Sequence, residues 1–449
     1  MRHERLYYTP TELAAAAPRT VWWPAVSIAL LCPFAAVAPV SLVTGMNLYL
    51  LLLVGIVWLG GRKSPEAPFL WAMLPFVLLL AVGLVAGVGA PRYLYLKDAW
   101  YFTNPATIIA LGYLFHRILG DTMRGLRAFV VAGLLVAIPH LLKFAINPQI
   151  LTEEATQIRT VAGTGYFPAA AALLLLVGWW GAWRDGLRLP QWLAATAATL
   201  CLASVVLSFS RTLAVVVVLG ALAALGYFAR REWLRVGGLV LAAAFGLGVL
   251  QSTVDTSSVQ SKRTFLGKLA RSMEEMDVQE FRSTAAINDN FRGYETSRAL
   301  ATWRAGTPAQ LVFGQGFGAQ VDLGIFQNLS GTPGGAVRFI PILHNGYMFL
   351  LVKTGLAGVA AYLAALAGFY LAGRRAARGG PGAPVREGRA LQACAIVMLV
   401  TTWVIAGAFN KFGMFAFLML MGYLLAAVSR PHAPPAAGTP IGSSPPTRA

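Results

Sequence analysis

Hydrophobic positions along this chain neither alternate nor recur every third and fourth residue. They run together in blocks of about 15–22, the length a helix needs to cross bilayer hydrocarbon. Charged stretches punctuate the blocks and leave twelve candidate spans. These lie near residues 22–43, 46–60, 68–88, 98–116, 128–147, 165–183, 189–208, 212–229, 234–250, 346–372, 390–408 and 413–429. The second is short and reads equally as one hairpin with the first. AVAP near Ala38 faintly resembles a signal-peptidase site, but with so many further spans the first segment is expected as a retained helix.

One connection is different in kind. Residues 251–343 form a polar segment between the ninth and tenth spans, and a loop of that length in a compact protein is functional or disordered. Its apolar positions, Phe265, Leu269, Met273, Met276 and Phe281, favour a folded, partly helical cap over the membrane mouth. The tail from Pro431 is rich in Pro, Ala and Ser and is expected to be disordered.

Composition agrees with the pattern. The 449 residues are 57% hydrophobic and 12% charged, about half the charge of a soluble chain, which excludes a soluble multidomain enzyme. A formal charge of +18 by itself suggests nucleic acid as a partner. In a membrane protein the better reading is cytoplasmic loops rich in Lys and Arg, touching anionic headgroups. With the N-terminus inside, the cytoplasmic segments hold Arg2, Arg5, Arg19, Arg62, Lys63, Arg117, Arg124, Arg127, Arg184, Arg188, Arg230, Arg231, Arg235, Arg374, Arg375, Arg378, Arg386, Arg389, Arg430 and Arg448. The short outer loops hold only Arg92, Lys97, Lys143, Arg159, Arg211 and Lys411. Both termini are therefore expected in the cytoplasm. Cys32, Cys201 and Cys394 sit inside apolar runs, form no CxxC pair and have no nearby His. Neither a disulfide framework nor a zinc site is expected, and the cysteines read as packing residues.

The polar chemistry gathers on the outer face. LSFSRT at 207–212 puts Arg211 at an outer helix junction. It reads either as a helix-end arginine snorkelling to water or lipid phosphate, or as a fork for a phosphate or diphosphate. Ser208 and Ser210 could add hydroxyl donors, or bond to their own helix backbone. His344, where the long loop re-enters the membrane, is the one histidine expected on the outer face. It reads as an amphipathic interface residue or as a group that orients or removes a hydroxyl proton. Asn345 behind it suggests a polar helix entry. Arg292, Glu295 and Arg298 stand three apart, so a helix would stack them. A solvated salt-bridged face accounts for that spacing, as does a binding face. Arg338 is a further candidate, otherwise a loop charge. The run GQGFGAQ lacks the Lys-Ser/Thr of a P-loop and is discounted as a nucleotide site. Two cations and one potential base above an apolar bundle suit a lipid-linked diphosphate.

At these residues the chain resembles the O-antigen ligase superfamily, which includes O-antigen ligases and related surface-polysaccharide polymerases. The likeness rests on SFSRT, on FRGYE and GQGFG within the long loop, and on HNGYMFLLVKTGLAG leading into the next helix. It covers most of the chain in topology and about forty residues in motif. It implies an all-α polytopic helix bundle of about twelve spans with one large, partly helical periplasmic loop. Residues 1–250 would carry spans one to nine, 251–343 the periplasmic cap, 344–430 the last three spans, and 431–449 the cytoplasmic tail. It further implies glycan transfer from undecaprenyl diphosphate on the periplasmic face of a bacterial inner membrane. The acceptor would be lipid A-core or another lipid-linked glycan, and the reaction inverting, with no metal, cofactor or nucleic acid. Arg211 and Arg292 map onto the family's diphosphate-binding arginines and His344 onto its histidine. Arg298, Arg338, Ser208, Ser210 and Asn345 would line the substrate. Where family members often carry an acidic residue after HN, this chain has Lys353, about 13 Å from His344 along an unbroken helix. Lys353 would snorkel, or the helix would start later.

A ligase and a polymerase break the same kind of bond, and the spacing and the single large loop lean towards ligase. A protein-glycosylating relative is a third possibility. A transporter or flippase would also give twelve spans; the span centres hold almost no Asp or Glu, which argues against ion-coupled transport and leaves a lipid flippase as an alternative.

Overall fold

The computed structural model describes residues 21–59, 65–152, 167–228, 290–328, 335–380, 383–409 and 413–429, with a few isolated positions between. Helices occupy eleven of the twelve expected stretches. They are α1 (Trp23–Val37), α2 (Val40–Leu59), α3 (Ala67–Ala86), α4 (Arg92–Leu119), α5 (Thr122–Ile146), α6 (Phe167–Gly178), α7 (Gln191–Leu207), α8 (Arg211–Leu225), then α11 (Gly346–Ala377), α12 (Val385–Ile405) and α13 (Phe415–Ser429). The stretch 234–250 apart from Gly238, the apolar cap positions 265–281 and the tail from 431 lie outside the described residues. Among the described residues five helices, α2, α3, α5, α11 and α12, are long and apolar enough to cross a membrane. The others in the bundle, apart from α4, are shorter apolar helices.

Small residues decide how closely these helices approach. Gly112 of α4 lies against the Met419 backbone of α13, and Gly422 of α13 lies against Ile109 of α4, so the two helices touch main chain to main chain. Without a hydrophobic driving force between helices in lipid, such close packing supplies much of the association energy. α11 and α12 form the other extensively packed pair, and α12 also packs on α8.

The described part of the long polar segment is partly helical, and it adds a pair of strands that the sequence reading did not include. Two short helices, α9 (Phe291–Arg304) and α10 (Pro308–Phe313), are followed by an antiparallel hairpin of β1 (Val321–Asn328) and β2 (Ala336–Ile340). The sequence supports the hairpin in hindsight. VDLGIFQN and AVRFI are rich in β-branched and aromatic residues, and SGTPGG between them is turn chemistry. The expectation of a partly helical cap rested on charged stretches such as NFRGYETSRALATWR, which does contain a helix, and it gave no weight to these β-forming residues.

Candidate active site

The site is assembled where α9 meets the start of α11. Asn345 caps α11: its Oδ1 accepts from the backbone N–H groups of Tyr347 and Met348 at 3.0 and 3.3 Å, and the residue is buried. That cap fixes the chain direction at His344, the residue just before it. From α9, buried Glu295 takes hold of His344 twice. Its Oε1 accepts from the His344 backbone N–H at 3.0 Å, and its Oε2 lies 2.8 Å from Nδ1 of the ring. The histidine side chain is 54% exposed and the glutamate 2%. The buried carboxylate thus fixes the imidazole by one nitrogen and leaves Nε2 directed away from it. Phe291, one turn before Glu295, meets the histidine ring edge-on at 6.3 Å.

Arg292 stands between these two contact residues in sequence and one helical turn before Glu295, so α9 brings it to the same end of the molecule. Arg211 reaches that end by another route. Gly226, which caps the end of α8, lies against Arg389 of α12, and Gly220 against Val397. This antiparallel register carries Arg211, the first residue of α8, towards the Ile405 end of α12. Gly346 packs against Thr402 and Ala406 at that same end, and Tyr347 donates its hydroxyl to the Leu399 carbonyl. Arg211 and Arg292 both occupy the first turn of a helix that has no acidic residue there. A cation in that position opposes the helix dipole, and an arriving anion would reverse the penalty.

The other expected substrate contacts have structural partners. Ser208 is buried and donates its hydroxyl to the Val205 carbonyl at 2.6 Å, while its Oγ accepts from the Ser210 N–H at 3.3 Å. Ser210 caps α8, accepting from the Leu213 N–H. Between them Phe209 takes a left-handed backbone, φ 48°, and packs with Leu207 on the cluster of Phe144, Ile150, Ile158 and Ala162. The serines therefore shape the turn that presents Arg211. Arg298 donates Nε to the Asp322 carbonyl at 2.8 Å, tying α9 to β1. Arg338 forms a two-pronged pair with Asp322, both contacts 2.8 Å. The Arg338 guanidinium holds the Asp322 carboxyl well below the usual carboxylate range, with help from the Gly324 N–H.

Lys353 neither snorkels nor precedes the helix. It is buried inside α11, with its Nζ 2.5 Å from Oδ2 of buried Asp98 on α4. The glycine run discounted as a nucleotide loop packs directly on it. α11 breaks at Gly355, φ 63°, just beyond Lys353. The carbonyls of Val352 and Lys353 accept from the N–H groups of Gln315 and Gly316 at 2.8 and 3.0 Å. Glu295, Asp98 and the role of the glycine run were not legible as a site in the sequence. The acidic residue embedded in FRGYE, on the same helix as a candidate arginine, was the available signal for Glu295.

No curated protein matches the chain. The stretch that does match a known family contains most of the residues described above, from the Ser208–Arg211 turn to Lys353. Residues 196–363 match the family model described as O-Antigen ligase, and it is this stretch of the chain that is similar to that family.

Proposed function

We propose that this protein transfers a glycan from undecaprenyl diphosphate to a sugar hydroxyl on the periplasmic face of the inner membrane, most simply as an O-antigen ligase with lipid A-core as acceptor. The observation that carries the reading is the buried Glu295 gripping an otherwise exposed His344, with Arg292 one turn away on the same helix. A carboxylate accepting from Nδ1–H leaves Nε2 with its lone pair, the tautomer a general base requires. His344 then takes the proton of the acceptor hydroxyl as that oxygen attacks the anomeric carbon from the face opposite the diphosphate. The anomeric carbon–oxygen bond breaks, and the configuration inverts. Negative charge growing on the departing diphosphate falls to Arg211 and Arg292, whose guanidiniums bind such oxygens bidentately.

The test is transfer by purified protein in nanodiscs, given undecaprenyl-diphosphate glycan with lipid A-core, or with no acceptor beyond the donor itself. Product on lipid A-core supports the ligase reading, and a ladder of longer lipid-linked chains makes the protein a polymerase. Donor binding without product in either case points to a flippase or transporter. Arg211→Ala should abolish transfer while membrane insertion survives, and turnover near wild type would remove the clamp. His344→Ala should spare donor binding and lower turnover by about 10²–10⁴-fold.

A further inference from the structure

Asp98 and Lys353 hold more than each other. Asp98 Oδ2, which receives the lysine, also accepts from the Gly318 backbone N–H at 2.6 Å. Lys353 Nζ in turn donates to the Ala319 carbonyl. A single ion pair therefore grips consecutive residues of the loop by an N–H and by a C=O, and both partners are buried.

That loop leads directly to the histidine's support. Two residues after Ala319 the chain enters β1, whose Asp322 carbonyl accepts from Arg298 and whose Leu323 carbonyl accepts from the Tyr294 hydroxyl. Arg298 and Tyr294 belong to α9, and Tyr294 is the immediate neighbour of Glu295. At the loop's other end, Gln315 Nε2 donates to the Thr302 carbonyl of α9 at 3.0 Å. The contacts close a ring: His344 to Glu295, α9 to β1, β1 to Ala319, Ala319 to Lys353, and nine residues back along α11 to His344.

We infer that the buried Asp98–Lys353 pair is a positioning device for the Glu295–His344 pair, setting the height of α9 against the start of α11. This rests on the reading of His344 as the base. Neither Asp98 nor Lys353 touches the reacting groups. They act through the seat of residues 318–319, and Asp98 supplies its half from α4, outside the stretch that matches the family.

A purely structural role and a positioning role predict different behaviour in one double variant, Asp98→Leu with Lys353→Met. It leaves no buried charge unpaired, so a role confined to charge compensation would be restored by it. A grip on residues 318–319 would not be. The readout independent of turnover is the rate at which diethylpyrocarbonate modifies His344 at fixed pH, followed on the His344 peptide by mass spectrometry, with Glu295→Gln as reference. The double variant should unfold with wild-type cooperativity, modify at the Glu295→Gln rate, and lose at least tenfold in kcat with KM for donor unchanged. A folded double variant with wild-type His344 reactivity would overturn the inference, whatever its transfer activity. If the double variant does not fold, Lys353→Arg decides: it keeps the charge but displaces the donor, and an unchanged modification rate there overturns the inference equally. Failure of the transfer reaction itself would leave the reactivity result standing, so the two readings fall separately.

Discussion

Two carboxylate–cation pairs hold the chain around the start of β1, one on each side of Val321, and they do so under opposite conditions. Asp98–Lys353 grips residues 318–319 from inside the bundle, with both side chains sealed from solvent. Asp322–Arg338 joins β1 to β2 across the hairpin, with side chains 33% and 44% exposed. The outer pair has the better hydrogen-bond geometry, two contacts of 2.8 Å, yet water competes for both partners and salt screens them. The inner pair has nowhere else to place its charges. Geometry therefore ranks the two in one order and consequence in the other: what matters is the environment left behind when a partner is removed.

Removing one member of the inner pair should give the largest effect. Lys353→Met strands a buried carboxylate and should lower stability by about 3–5 kcal/mol, read from thermal unfolding in detergent. Asp98→Leu in addition should recover most of it. Equal losses in single and double variants would mean that the pair's worth lies in its hydrogen bonds rather than its charge balance. An intermediate effect should come from the seat itself. Gly316, φ 84°, has its α-carbon against the backbone of Ala86 and Gly87 at the end of α3, so Gly316→Ala sets a methyl against main chain that cannot rotate away. A loss of about 1–3 kcal/mol is expected, and a neutral substitution would show that the loop stands off α3. The smallest effect belongs to the outer pair. Arg338→Ala should barely change the unfolding temperature at neutral pH. Because Asp322 is depressed when folded, whatever Arg338 contributes is present above the ordinary carboxylate value of about 3.9 and fades as pH falls through the folded value. Unfolding temperatures of the two proteins should converge in acid and in high salt, and a gap that widens there would reverse the ranking.

The helices were legible because each span announces itself in its own residues, through length and uninterrupted apolar character. Arg211, Arg292 and His344 stood out as candidates because charge is rare here and the alternation of basic loops assigns them to one face. What escaped was everything made by residues far apart in the chain. Asp98 and Lys353 are 255 positions apart, and Glu295 and His344 are 49 apart. No periodicity within either neighbourhood encodes such a meeting. Glu295 looked like one more member of a solvated i, i+3 row, and only the fold shows that its side faces His344. The glycine run was discounted as a nucleotide loop and given no other role, whereas the N–H groups of Gln315 and Gly316 serve the carbonyls of α11. Ser208 and Ser210 illustrate the reverse case, in which a local explanation, bonding to their own backbone, accounts for the contacts seen.

The break at Gly355 also divides labour along α11. The segment from residue 356 to 377 has 22 residues, about 33 Å of helix, which by itself matches the roughly 30 Å of bilayer hydrocarbon. The nine residues from Gly346 to Thr354 are therefore released from the task of spanning. They amount to about 13 Å of helix, a pedestal whose height is set by protein contacts at its foot rather than by the thickness of the lipid. Membranes of different thickness would tilt or strain the lower segment while the histidine keeps its elevation above the break.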